Sequence, residues 1–217
     1  MRTKIFIDFD GTIFDTTKFR IGLFDICRQA GFSQEEIDAA YKESNLDYKF
    51  SPKKHLGSLG RFHEYDRPAA ERRLAKLYQQ TPGMVFSDAL VFLERLDRNR
   101  HSTTLFSLGD VEFQSRKAES CGIGKYFDEV YYTEKQKWEV MEDLVAPDEK
   151  FIFVDDRGDT VYEISKRFRH SFALEINRFS HPTDPNEPTK SYNNIKIRDF
   201  YQLEKYLGAI PDTVAAV

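Results

Sequence analysis

Two aspartates near the start of the chain, Asp8 and Asp10, have the spacing of a catalytic or metal-binding pair. They follow the apolar run at residues 5–7 and precede Gly11 and Thr12. The β-branched and aromatic run is typical of a strand buried on both faces. In an extended chain, residues two apart lie on the same side, so the two carboxylates would repel each other. We therefore expect a divalent cation with oxygen ligands between them.

A second apolar run, at residues 151–154, also ends in acids. Asp155 and Asp156 follow it directly, and Asp159 comes three residues later. One acid could be explained as the N-terminal cap of the next helix, but three exceed that need. The residues leave open which of these three would bind a metal directly. The candidate metal ligands are Asp8, Asp10, Asp155 and Asp156.

Hydroxyl and ammonium groups follow two further apolar segments. Ser107 ends the run 103–107, and Lys135 and Lys137 lie just before a predicted helix. A hydroxyl and a glycine-flanked backbone at a strand end can donate hydrogen bonds to phosphate oxygens. The candidate substrate-binding residues are Gly11, Thr12, Ser107, Leu108 and Gly109.

Together these groups describe a phosphate site with a metal. Asp8 would attack phosphorus and form an aspartyl-phosphate, a covalent route that carboxylates can take. Asp10 would protonate the leaving oxygen and later activate water. Mg²⁺ would bridge the acids and the phosphate, while Ser107 and Lys137 (or Lys135) would neutralise oxygens of the transferred group. The candidate catalytic residues are Asp8, Asp10, Ser107 and one of the two lysines.

The pattern of strands and helices predicts how these residues meet. After residue 87, apolar strand-like runs alternate with amphipathic segments, which indicates a parallel sheet covered by helices on both faces. In such sheets ligands bind beyond the carboxyl ends of the strands. Residues 16–80 are predicted to be helical except for an irregular basic stretch from Tyr48 to Tyr65. Asn177 to Asn194 is predicted to be a long loop, and a last helix covers Arg198–Leu207.

The whole-chain composition narrows the class of protein. The 217 residues carry a net charge of −4 and two cysteines, Cys27 and Cys121, outside any Cys-x-x-Cys spacing. This argues against a disulfide framework and a zinc site, and the acidic balance argues mildly against a nucleic-acid partner. No apolar run approaches the ~20 residues of a membrane span, and we expect no signal peptide, because the first strand begins at once. We expect a cytoplasmic enzyme whose partner is a small phosphorylated metabolite. The oligomeric state and the identity of the metabolite are left open.

The motifs and their order resemble those of the haloacid dehalogenase-like (HAD) superfamily of hydrolases. Residues 8–12 match its first motif, Ser107 its second, the lysine before a helix its third, and the Asp155-Asp156 pair its fourth. The connection 114–130, which contains Lys117, is also similar. Two departures are that neither lysine precedes a proline, and that the fourth motif is Asp-Asp rather than Gly-Asp. Lys137 and Asp156 are the preferred matches.

The resemblance implies a fold and an activity. It implies a three-layer, Rossmann-like α/β core built from residues 1–15 and 81–217, with the first strand central and a helical cap at 16–80. An aspartate at position 10 implies phosphate chemistry, because the dehalogenases of the superfamily lack it. The expected function is a Mg²⁺-dependent phosphatase that works through an aspartyl-phosphate. The alternatives are a phosphotransferase or mutase with the same site, and a catalytically idle binding protein on the same fold.

Basic residues in the predicted cap could determine substrate specificity. Lys53, Lys54, His55 and Arg61 lie in the segment predicted to be irregular, where they could reach an anionic leaving group.

Overall fold

One six-stranded parallel sheet organises the molecule. The computed structural model describes residues 2–45, 50–146, 148–178 and 192–207. The strand order is β3-β2-β1-β4-β5-β6, with every neighbouring pair parallel. This confirms the predicted sheet and places the first strand in its interior. The strands are β1 Thr3–Ile7, β2 His101–Leu108, β3 Glu129–Thr133, β4 Phe151–Asp155, β5 Phe172–Ile176 and β6 Ile195–Ile197.

Helices cover both faces of this sheet. Successive side chains of β1 alternate between two apolar cores: Ile5 and Ile7 belong to one, Phe6 to the other. Helices α5 Ser87–Arg95, α6 Val111–Cys121 and α9 Phe200–Leu207 contribute to the first core, and α7 Lys137–Leu144 and α8 Gly158–Arg167 to the second. Because both faces are covered, residues 5–7 of β1 and 151–154 of β4 are apolar and buried, and the carboxylates of Asp8 and Asp155 come at their ends. Within the described ranges, none of the helices has the length and apolar character needed to cross a bilayer.

In the described part of the chain, four α-helices lie between β1 and α5, and we call residues 16–79 the helical insertion. They are α1 Thr16–Gln29, α2 Gln34–Ser44, α3 Pro52–Leu59 and α4 Arg67–Gln79. Ser33 begins α2 with a reciprocal capping box, as the sequence predicted. Asp15 and Asp66 cap α1 and α4 through the amides of Lys18 and Ala69. That the insertion acts as a separate cap stays a prediction.

The structure differs from the sequence prediction in two places. Helix α3 occupies part of the stretch predicted to be irregular, because Pro52 suits a first helical position and apolar residues follow at helical spacing. Residues 81–84 form a 3₁₀ turn between the helical insertion and α5. Strand β6 was not predicted: it has three residues, and only Ile197 is buried. Most of the predicted loop 177–194 lies outside the described residues.

Candidate active site

The carboxyl ends of β1, β2 and β4 bring the predicted site residues to one edge of the sheet. Strand β1 pairs with β2 on one side and with β4 on the other. The amide of Asp8 donates to the carbonyl of Val154 at 2.9 Å, which extends the β1–β4 pairing to the start of the acidic segment. The buried side chains of Asp8, Ser107 and Asp155 thus follow adjacent strands.

Lys137 joins two of these carboxylates. Its Nζ donates to Oδ1 of Asp8, and to Oδ2 of Asp155 at 2.6 Å. Lys137 is only 3% exposed and begins α7, so the helix fixes the ammonium between the two strand ends. Asp155 is fully buried, and its other oxygen accepts the amide of Arg157 at 2.9 Å. Both oxygens of Asp155 are therefore engaged.

Asp156 completes what we call the Asp8 cluster: Asp8, Asp155 and Asp156 with Lys137. One oxygen from each of the three carboxylates lies within 4.8 Å of the others. Asp156 accepts no hydrogen bond from the residues that the structure describes. The carboxylate of Asp156 lies against Gly11, which has a φ of +70°. A Cβ added at Gly11 would come within 2.0 Å of Asp156 Oδ2. Only glycine allows this approach.

The charges of the Asp8 cluster do not balance. Burial raises the pKa of Asp8 to about 7; Lys137 opposes this rise, and the neighbouring Asp155 adds to it. Loss of solvation at the strand ends, and then the charge of Asp8, raise the pKa of Asp156 above its ordinary value, although this residue is exposed. Burial favours neutral Lys137, but Asp155 and Asp8 together raise its pKa. Three carboxylates thus face one ammonium, and this oxygen-rich surplus of negative charge fits a Mg²⁺ ion.

Asp10 has a different environment, although it lies only two residues away. Its Oδ1 accepts hydrogen bonds from Thr16 Oγ1 at 2.6 Å and from Lys117 Nζ, and its Oδ2 accepts one from Gln114 Nε2 at 2.8 Å. We call Thr16, Gln114 and Lys117 the Asp10 donor set. Burial alone would raise the pKa of Asp10, but Lys117 and these hydrogen bonds lower it. The side chain of Asp10 is thus held outside the Asp8 cluster, apart from the other three predicted metal ligands.

Sequence reasoning did not identify the donor set. Lys117 was noted only as part of the connection after β2, and Gln114 and Thr16 were assigned no role. The available signal was the position of Lys117 on α6, four residues after Phe113 and three after Gln114. These spacings place a lysine on the buried side of an amphipathic helix, where an ammonium needs a partner.

Two buried hydroxyls at this edge make no hydrogen bond within the part of the chain that the structure describes. They are Ser107 Oγ and Thr12 Oγ1. By contrast, the amide of Gly109 donates to the carbonyl of Thr133 at 2.8 Å, and the amide of Gly11 donates to the carbonyl of Phe14 at 2.9 Å. Contrary to our expectation of a glycine-flanked phosphate-binding backbone, neither glycine amide is available here to a phosphate oxygen.

The remaining predicted residues lie elsewhere or make other pairs. Lys135 is exposed, so Lys137 is the lysine at the site. Asp159 forms an ion pair with Arg157 at 2.6 Å and is not one of the carboxylates of the Asp8 cluster. The carbonyl of Leu108 accepts a hydrogen bond from Gln114 Nε2 at 3.3 Å, which connects the segment after β2 to the Asp10 donor set.

The basic residues of the helical insertion have different environments, and only Lys54 is placed here beside the site. Lys54 Nζ reaches Asp110 Oδ2 at 2.8 Å, which joins α3 to the start of α6 beside the site. Arg61 pairs with Glu43 within the insertion. His55 is fully buried near Cys27, and burial lowers its pKa to about 4, so it is neutral and has no path to a substrate.

Comparisons with known proteins identify the fold. No protein-family profile and no curated protein matches the chain. A haloacid dehalogenase-like hydrolase from Burkholderia xenovorans LB400 is 18% identical, with a TM-score of 0.70 and 100% of both chains covered. The HAD-hydrolase YfnB from Bacillus subtilis, bound to magnesium, is 14% identical, with a TM-score of 0.62 over 95% of this chain and 98% of that one.

An L-2-haloacid dehalogenase from Xanthobacter autotrophicus, with chloropropionic acid covalently bound, is 14% identical, with a TM-score of 0.61 over 97% of this chain and 100% of that one. At these identities the likeness is one of fold. It leaves open which chemistry the residues at the strand ends perform.

Proposed function

We propose that this chain, which has the fold of the haloacid dehalogenase-like hydrolases, is a Mg²⁺-dependent phosphatase that hydrolyses a phosphomonoester through an aspartyl-phosphate on Asp8. The observation that carries the proposal is the pair of environments at the end of β1. Asp8 lies in an acidic cluster with a charge surplus that a cation would neutralise. Asp10 is fixed beside it by three donors, which set the position of the group that would move the proton.

The residues of the Asp8 cluster fit the metal that this reaction needs. Asp8, Asp155 and Asp156 would hold Mg²⁺ through carboxylate oxygens, the ligands that this ion prefers. When bound, Mg²⁺ supplies Lewis-acid stabilisation of charge on the phosphoryl oxygens. The solved structure of YfnB, bound to magnesium on the same fold, adds support.

The side chains would divide the chemistry as follows. An oxygen of Asp8 forms a bond to phosphorus as the bond from phosphorus to the leaving oxygen breaks, and Asp10 gives that oxygen a proton. Water then attacks the phosphorus of the aspartyl-phosphate, Asp10 takes a proton from it, and Asp8 is released as a carboxylate. Lys137 holds Asp8 in place, and the free hydroxyls of Ser107 and Thr12 can donate to phosphoryl oxygens.

A screen of phosphorylated metabolites and aryl phosphates, with and without Mg²⁺, tests the proposal. The wild type should release phosphate only with the metal, and Asp8→Asn should release none. A wild type that hydrolyses no phosphate and binds no Mg²⁺ contradicts the enzymatic proposal and leaves the idle binding protein. Transfer of the phosphoryl group to a second metabolite, without free phosphate, supports the phosphotransferase alternative.

Dehalogenation is a second candidate, because a structural neighbour is a dehalogenase with its substrate covalently bound. Single turnover in ¹⁸O-labelled water separates the two reactions. If water attacks phosphorus, the label enters the released phosphate. If a carbon substrate is esterified on Asp8, water attacks the carboxyl carbon and the label enters Asp8. We expect label in phosphate and none in Asp8, because the donor set keeps Asp10 beside the nucleophile.

A further inference from the structure

Lys117 is an ammonium inside an aromatic pocket. Its Nζ lies 4.5 Å from the ring centre of Phe113, 4.9 Å from that of Phe9 and 5.2 Å from that of Phe14. The side chain is 1% exposed. Contacts with aromatic faces offset only part of the free energy of burying a charge, so a lysine here needs an anionic partner. That partner is Asp10.

The donors on Asp10 leave one acceptor position free. A carboxylate offers about four lone-pair positions, two on each oxygen. Thr16 and Lys117 donate to Oδ1, and Gln114 donates to Oδ2. The remaining position is on Oδ2, so this oxygen is the one that can meet a leaving oxygen or a water.

Gln114 is itself held in place. It is 4% exposed, and its Nε2 also donates to the carbonyl of Leu108 at 3.3 Å. A Cβ at Gly109 would come within 2.7 Å of that Nε2, so the glycine leaves room for the amide in its present position. Gln114 and Lys117 lie three residues apart on α6, on one face of the helix. One helix therefore supplies a donor to each oxygen of Asp10.

We infer that Lys117, with Gln114, is a positioning residue that fixes the orientation of Asp10 and presents its Oδ2 to the reacting oxygen; this inference rests on the proposed function. Lys117 acts through Asp10, because it is buried and its charge is already paired. Misplacement of an acid–base group by about 1 Å can cost about 10²-fold in rate.

A purely structural role is the competing explanation. The ion pair could simply tie α6 to the segment after β1, in which case its loss would lower stability and the yield of folded enzyme. It would then lower turnover of every phosphate substrate by the same factor. A positioning role predicts a selective effect, because protonation by Asp10 matters most when the leaving oxygen is strongly basic.

The test uses Lys117→Met, which keeps the length and apolar stem of the side chain, on a series of aryl and alkyl phosphates with Mg²⁺. We expect kcat/KM, which reports transfer of the phosphoryl group to Asp8, to fall by about 10²-fold for the most basic leaving group, with a much smaller loss for the most acidic one. Lys166→Met, which removes an exposed lysine of α8, is the matched control and should match the wild type. A loss of equal size on every substrate overturns the inference.

A double-mutant cycle with Asp10→Asn gives an independent readout. If Lys117 acts through Asp10, Lys117→Met should have almost no effect on kcat in the Asp10→Asn background. Additive losses overturn the inference. If Lys117→Met does not fold, Gln114→Met, which removes the donor to Oδ2 without removing a charge, carries the same test. If the wild type hydrolyses no phosphate at all, the proposed function fails first and the inference falls with it.

Discussion

Asp8 and Asp10 lie two residues apart after the same strand, yet the charge of the Asp8 cluster is unbalanced while the charge of Asp10 is paired within the protein. In the Asp8 cluster three carboxylates share one ammonium, and the pKa of Asp8 is raised to about 7. Around Asp10, three donors bind one carboxylate, and its pKa is lowered. The difference indicates that the protein itself supplies the partners of Asp10, while the carboxylates around Asp8 would need a cation from solution to balance their charge.

The largest expected effect separates the two aspartates by role. Asp8→Asn removes the nucleophile and should lower kcat by about 10⁴-fold or more, since loss of a nucleophile removes most of the catalytic rate. Asp10→Asn should lower kcat by about 10²–10⁴-fold, the range of general acid–base catalysis. Steady-state rates on one aryl phosphate, with circular dichroism to verify folding, provide the measurement. Full activity in Asp8→Asn would show that the nucleophile is misassigned.

The next effect concerns the cation. Asp156→Asn should weaken Mg²⁺ binding by at least about tenfold, because affinity depends on the number of charged ligands. Asp159→Asn is the matched control: Asp159 pairs with Arg157, so its loss should leave the affinity close to that of the wild type. Calorimetric titration of each protein with MgCl₂ gives the constants. Equal weakening in both variants would mean that Asp156 has no special role.

Gly11 tests the close approach between the strand end and Asp156. Gly11→Ala should both destabilise the fold and weaken Mg²⁺ binding, because the new Cβ would overlap Asp156 Oδ2. Gly122→Ala shares the positive φ, +69°, but would meet no atom within 4 Å. We expect this control to lose only the backbone contribution, about 1–2 kcal/mol of unfolding free energy, and to keep its Mg²⁺ affinity. Denaturant unfolding and MgCl₂ titration compare the pair, and equal losses would exclude the overlap.

The smallest effect is the pH dependence of stability. The ordinary pKa of an aspartate is 3.8, and that of Asp8 in the folded chain is raised to about 7. Between these two pH values the folded chain keeps a proton on Asp8 that the unfolded chain has released. Asp156 is shifted in the same direction. Without metal, these two groups therefore lower stability as pH rises from about 4 to about 7. Mg²⁺ at 100 times its Kd should add about 2.7 kcal/mol at pH 7.5, and less at pH 5, where protons compete for the ligands.

The measurement for this prediction is the difference in Tm with MgCl₂ and with EDTA at each pH. The difference cancels the opposite contribution of His55, whose pKa of about 4 lowers stability as pH falls below 6.5. Asp8→Asn is the control, since it should reduce the change in this difference between the two pH values. If Mg²⁺ raises the Tm of the wild type by the same amount at pH 5 and at pH 7.5, the Asp8 cluster does not carry a surplus of negative charge.

The sequence predicted the sheet and the strand ends well, because both depend on local signals. Uninterrupted apolar runs that stop at acids indicate buried strands and their carboxyl ends, and this was enough to place Asp8, Ser107 and Asp155 at one edge. Lys137 could be preferred over Lys135 only by its position at the start of a helix. The structure supports that preference through its hydrogen bonds to Asp8 and Asp155.

The Asp10 donor set and the fate of the basic residues could not be predicted in this way. Lys117 reaches Asp10 across 107 positions in the chain, so no local pattern pairs them. Lys54 and His55 are adjacent in sequence, yet Lys54 reaches Asp110 while His55 is fully buried. Which of two neighbouring polar residues is buried depends on helix orientation, and α3 itself was predicted to be irregular. Such pairings are decided by tertiary packing.

The most direct test of the central claim is whether a phosphoryl group appears on Asp8 in the presence of Mg²⁺. Asp10→Asn, which should slow hydrolysis of the intermediate, is mixed with an aryl phosphate and quenched in acid, and its peptides are analysed by mass spectrometry. We predict one added phosphoryl group on the peptide that contains Asp8, absent with EDTA and absent in Asp8→Asn/Asp10→Asn. Release of the aryl alcohol with no phosphoryl group on Asp8, or with one on another residue, would contradict the account.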